Sequence, residues 1–147
     1  MTLKEQLNDT MKVAMKAQDT LRLSAVRMVR SAIRNREIDS RTELDDQAVV
    51  EVISTMAKQR RESIRMYLEG GRPELAEKEE SELAVLLEFM PAQLSPDEIA
   101  TLVSQVILDL DAQGTKDMGR VMKSITPLTA GKADGKSVSE TVRRLLA

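Results

Sequence analysis

The stretch AGKADGKS, residues 130–137, decides between two fold classes. It ends in Gly135-Lys136-Ser137. A phosphate loop reads G-x-x-x-x-G-K-[ST] and joins a buried parallel strand to a helix. Read that way, the chain is an α/β protein with a nucleotide site. Two observations speak against it. The first glycine falls at Gly131, one place beyond Ala130, where the pattern needs it. The preceding residues, Ser124-Ile125-Thr126-Pro127-Leu128-Thr129, are too short and too polar a run for a buried strand. A KH-type Gly-x-x-Gly clamp fails as well, because Gly131 and Gly135 stand four apart rather than three and that fold needs a sheet. What remains is a turn between two helices. Gly131 and Gly135 permit positive φ or close approach, Asp134 caps the following helix, and Lys132 and Lys136 face solvent.

Working outward from this turn, the apolar periodicity is helical and no convincing strand appears. Downstream, Val138, Val142 and Leu145 fall on one helical face. Upstream, Gly114-Thr115 opens a helix carrying Met118, Val121, Met122 and Ile125, which Pro127 is expected to end. Ser95-Pro96-Asp97-Glu98 is a helix start with a capping box, followed by the stripe Ile99, Leu102, Val103, Val106, Ile107, Leu110. Before it, Leu3, Leu7, Met11, Ala14 and Met15 mark a first helix. Asp19 caps a second, with Val26, Val29 and Ile33 on its stripe. A long third runs from Leu44 or Asp45 to Gly70-Gly71, and a fourth from Pro73 to about Phe89. The prediction is an all-α chain: an N-terminal domain of about four helices over 1–90, a linker over 91–94, and a three-helix domain over 95–147.

Composition excludes much chemistry. The 147 residues include no Cys, His or Trp, one Tyr and one Phe. Disulfides, Cys/His zinc sites and Cys or His catalytic centres are therefore out, as are most base-stacking platforms. Ser24, Ser31 and Ser54 sit inside helices with no His to activate them, and the carboxylates of the fourth helix read as a solvated face without metal-ligand spacing. No catalytic residue, metal ligand or cofactor is expected. The N-terminus is polar and mixed in charge, and no apolar run approaches a membrane span. These features lead to the expectation of a cytoplasmic protein with no membrane partner.

Net charge is −2, yet the charge is unevenly placed. From Gly114 to Ala147 seven bases (Lys116, Arg120, Lys123, Lys132, Lys136, Arg143, Arg144) stand against Asp117, Asp134 and Glu140, an excess of +4. Lys116, Arg120, Lys123, Lys132 and Lys136 are the candidate phosphate-binding residues. Two further basic stripes lie at i, i+3, i+7: Arg27, Arg30, Arg34 and Lys58, Arg61, Arg65. They are expected chiefly as solvated faces paired with the acidic fourth helix, and secondarily as a phosphate grip.

Three pieces of the sequence, Lys58-Gln59-Arg60-Arg61, Met90-Pro91-x-Gln93-Leu94, and Asp117-Met118-Gly119-x-Val121-Met122 with Gly131-Lys132-Ala133-Asp134-Gly135, resemble the GatB/YqeY family across almost the whole chain. The resemblance implies two helical domains. It likens the second to the tail domain of the B subunit of tRNA-dependent amidotransferase, where the tail helps to hold tRNA. The family's carbon–nitrogen ligase label, with glutamine as nitrogen donor, carries over only as a domain association. The kinase-like body and the ammonia-releasing subunit are not matched, so the chain alone is not expected to be an enzyme. The expected function is an RNA-binding accessory module whose partner is tRNA or a tRNA–enzyme complex, with no DNA. The alternatives are a partner-dependent component of transamidation and a protein-interaction module.

Overall fold

The computed structural model describes residues 1–147, which form seven α-helices and no strand. The all-α expectation holds. Internal contacts divide the chain into two compact units, Met1–Met90 and Pro91–Ala147.

Unit 1 comprises α1 (Leu3–Ala17), α2 (Thr20–Ser40), α3 (Asp46–Glu69) and α4 (Pro73–Leu87). Each of the first three helices starts at a side chain that accepts a backbone N–H. Thr2 forms a reciprocal capping box with Glu5, Asp19 accepts from Arg22 and Asp45 from Ala48. α4 has Pro73 at its start instead. The helices bury one core, centred on Leu7, Val26, Val29, Val49, Ile53 and Leu86. α3 and α4 pair most extensively, and α2 packs on α1, α3 and α4. Met15, expected on the apolar stripe of the first helix, is half exposed instead, while Ala14 beside it is buried. α4 closes at Leu87, short of Phe89. The chain then tightens into i→i−3 bonds through Met90, which precedes Pro91 and its missing N–H.

Unit 2 comprises α5 (Pro96–Leu110), a 3-10 turn (Thr115–Asp117), α6 (Met118–Thr129) and α7 (Gly135–Leu146). Ser95 and Glu98 make the expected capping box of α5. The three helices pack pairwise around Ile99, Val103, Val121, Ile125, Val138 and Val142. One expectation needs correcting. Pro127 does not end α6 but lies within its last turn, and the helix runs to Thr129. A proline so near a C-terminus removes one backbone bond. The hydroxyls of Thr126 and Thr129 donate to the carbonyls of Met122 and Ile125 in the same region.

Candidate functional site

The glycine turn of unit 2 is built from both ends of that unit. Gly131 has φ +74, so glycine is required there by the backbone. Lys132 and Ala133 donate their N–H groups to the Thr129 carbonyl at 2.9 and 3.1 Å. The free carbonyls of the turn are taken by the strap Pro91–Leu94. Leu94 N–H donates to the Lys132 carbonyl at 2.8 Å, and Gln93 Nε2 donates to the Gly131 carbonyl at 2.9 Å and to the Pro91 carbonyl at 2.8 Å. Two of the motif pieces singled out in the sequence thus meet here. Asp134 stands at the N-cap of α7 with extended backbone and accepts the Ser137 hydroxyl at 3.4 Å. Gly135 is different from Gly131. It is the first residue of α7, and a Cβ there would meet nothing within 4 Å. Neither positive φ nor close approach explains that glycine.

Lys132 and Lys136 are exposed, as are Lys116, Arg120 and Lys123. The five do not converge on one point. Lys116 and Arg120 lie at the start of α6, Lys123 at its middle, and Lys132 and Lys136 beyond its end. The 12 residues of α6 span about 18 Å, so Lys116 and Lys132 lie at opposite ends of that helix. Arg120 is partly engaged: its guanidinium reaches Asp117 at 3.4 Å and the Leu110 carbonyl at 3.1 Å. Asp117 accepts the Gln113 N–H at 2.8 Å. That bond, with the charge of Arg120 adding to it, holds its carboxyl below the ordinary value of 3.8. Of the six other acids of unit 2, Asp134 and Glu140 lie among the bases, while Asp97, Glu98, Asp109 and Asp111 belong to α5 and its C-terminal cap.

In unit 1 the two basic stripes part company. Arg27, Arg30 and Arg34 line a groove of about 680 Å³ between α1 and α2, with Lys4, Leu7 and Ile33 also in its walls. The expected pairing of this stripe with the acidic fourth helix is not found. Arg30 Nη1 contacts Met11 Sδ at 2.8 Å, and Arg27 and Arg34 enter no ion pair. On α3, Lys58 is exposed, Arg61 is partly buried, and Arg65 pairs with Glu62 and Glu69 of its own helix at 3.4 and 3.3 Å. The arginine that meets α4 is Arg60. It bonds Glu79 at 2.8 Å and Glu82 more closely, and Glu82 is itself buried. The signal for Arg60 was present in sequence. It continues the Ile53, Ala57 stripe at the next helical turn, so its charge had to find partners inside the α3–α4 contact. No group of three or more acidic side chains gathers to hold a metal ion, and no helix is long and apolar enough to cross a membrane.

The family model for the Yqey-like protein matches residues 4–146. The chain belongs to the YqeY-like family. Curated relatives share the name "Altered inheritance of mitochondria protein 41, mitochondrial". The protein of that name from Vanderwaltozyma polyspora is 35% identical over 81% of this chain and 66% of its own length. That from Kluyveromyces lactis is 36% identical over 71% and 58%. That from Eremothecium gossypii is 31% identical over 96% and 79%. This YqeY-like chain therefore matches between 58% and 79% of the length of these three relatives. The cytoplasmic expectation is overturned by these names, since each relative is described as mitochondrial.

Proposed function

We propose that this YqeY-like protein is an RNA-binding accessory module, related to tRNA, that holds backbone phosphates through unit 2. One observation carries the reading. Lys116, Arg120, Lys123, Lys132 and Lys136 are all exposed, spread along and beyond a helix about 18 Å long, and the strap Pro91–Leu94 fixes the turn that bears Lys132. Lysines held on a defined turn meet phosphates without the ordering cost of a floppy loop. Unit 2 contains no aromatic residue, so bases have nothing to stack on and the grip belongs to the backbone. The likeness of this unit to a tRNA-holding tail domain supports the same reading.

The test is binding of fluorescently labelled tRNA to the full chain as a function of salt. Five phosphate contacts give a log–log slope of roughly −3.5 to −4.5. The double substitution Lys132→Glu, Lys136→Glu is expected to weaken binding by similar factors for unrelated tRNAs, with helical circular dichroism unchanged. Salt-independent binding, or a double variant that binds as well as the parent, overturns the reading.

A further inference from the structure

The face of α2 that looks away from the core carries a regular stripe that the RNA reading leaves unused. Leu21, Ser24, Met28, Ser31, Asn35 and Ile38 follow one another at alternating spacings of three and four. This is the spacing by which one helix presents a seam to another. The opposite face of α2 buries Ala25, Val26, Val29 and Ile33, so the stripe is not part of the core. Its three large apolar members are exposed: Leu21 by 36%, Met28 by 48% and Ile38 by 64%. The stripe is flanked on both sides. The α1–α2 groove of about 680 Å³ runs along one edge and a groove of about 630 Å³ between α2 and α3 along the other, and both are bordered by Arg27 and Ser31. Ser24 and Ser31 keep the crest low, so a helix laid there can approach closely.

We propose that this face docks an acidic amphipathic helix of a partner protein. Charge selects the occupant. Arg27 and Arg34 each immediately precede a stripe residue, Met28 and Asn35, which is where a seam places the charges that choose a partner. Neither is in an ion pair, and Arg30 beside them touches only a methionine sulfur in this structure. By contrast Arg22 and Arg60, which also reach across unit 1, are both satisfied by carboxylates, and Arg60 Nη2 in addition contacts Met28 Sδ at the edge of the stripe at 3.1 Å. The groove wall carries four bases (Lys4, Arg27, Arg30, Arg34) against two acids (Glu5, Glu37), with Lys4 paired to Glu37, so a net positive charge remains on the arginine side. A second copy of this chain meets its own arginines and is repelled. An RNA strand satisfies the arginines but has no use for exposed Leu21, Met28 and Ile38. A helix with leucine or isoleucine on its seam and glutamate beside it satisfies both, and methionine adapts its shape to such a seam.

The probe is a designed three-heptad peptide with apolar seam positions and flanking glutamates, titrated into the ¹⁵N-labelled full chain. The amides expected to shift are those of residues 21–38 on α2 and the neighbouring wall of α1 about Lys4 to Asn8. Replacing Arg27, Arg30 and Arg34 by Glu should weaken binding by roughly tenfold or more. That variant should instead bind the same peptide carrying lysines in place of glutamates, a reversal that a merely misfolded variant cannot show. The proposal is overturned if the acidic peptide shifts no α2 amide, or if acidic and basic peptides bind the parent chain equally well. It is also overturned if an oligouridylate shifts the α2 amides while the peptide does not, or if the chain self-associates through this face and Met28→Glu abolishes that association.

Discussion

The two units handle charge in opposite ways. In unit 1, ion pairs join one helix to another: Lys4 of α1 to Glu37 of α2, Arg22 of α2 to Glu88 just past α4, and Arg60 of α3 to Glu79 and Glu82 of α4. In unit 2, Arg120 pairs with Asp117, three residues away, and the long-range joining is done by amides and carbonyls between Pro91–Leu94 and the Gly131 turn. Unit 1 spends charge on holding its helices together. Unit 2 holds its turn with neutral groups, and its lysines are exposed and enter no ion pair. The same residue types therefore carry different meanings in the two halves of one chain, and a count of basic residues cannot tell a strut from a binding group.

The comparison breaks most visibly at Arg60. Replacing Arg60 with Ala leaves Glu79 and Glu82 together, largely buried and without their cation. The expected loss is about 3 kcal/mol of unit 1 stability. The measurement is denaturant unfolding followed by Tyr67, the chain's one tyrosine, which lies in unit 1. A loss below about 1 kcal/mol, the scale of an exposed pair, would mean that the triad is not a strut. Replacing Arg60, Glu79 and Glu82 together by apolar residues of similar volume is expected to be close to neutral, because the desolvation cost vanishes with the charges.

The neutral clip of unit 2 should respond more mildly. Gln93→Ala removes two hydrogen bonds at an exposed site and should cost about 1 kcal/mol at most. Gly131→Ala places a Cβ at φ +74 and should cost about 1–2 kcal/mol. Gly135→Ala, in the same turn, should instead stabilise by about 0.5 kcal/mol, since its helical backbone accepts alanine and its surroundings are open. Hydrogen exchange at Val138 and Val142, both buried in unit 2, reads all three. Equal effects at the two glycines would contradict the assignment of the strained position to Gly131 alone.

The smallest effect is the one near neutral pH. With no histidine in the chain, melting temperature should be flat between about pH 6 and 8. Acid separates the units. Hydrogen bonds from Arg22 hold Glu88 below the ordinary 4.5, and those from Lys4 and the Leu44 N–H do the same for Glu37. A carboxyl lowered on folding gives stability that is complete above its unfolded value and is lost as pH falls through its folded value. Unit 1 should therefore begin to weaken as pH drops below 4.5, whereas the Asp117 contribution in unit 2 begins to fade only below 3.8. A pH titration of the Tyr67 signal beside the Val138 amide compares them directly. Simultaneous loss in both units would show that other groups dominate.

What the sequence made legible was local. The caps at Asp19, Asp45 and Ser95 lie within a few residues of the N–H groups they accept, so the helix starts could be read directly. The expected end at Pro127 was misplaced by two residues, because a proline in the last turn removes a single backbone bond and the helix closes at Thr129. The long-range bonds were hidden. Gln93 reaches Gly131 across 38 residues, and nothing in the local pattern of Pro91–Leu94 names its target. Arg27 and Arg61 look alike as members of three-residue basic stripes. Only the packing shows that Arg27 borders a groove while Arg61 sits partly buried.

The strap sets where unit 2 can be cut from the rest of the chain. Because Gln93 and Leu94 fasten the entrance of unit 2 to the carbonyls of its own internal turn, the first residues of the unit hold the turn before its last helix. The unit behaves as a fitting with its socket built in. A graft that begins at Ser95 would carry the helices but leave the socket behind.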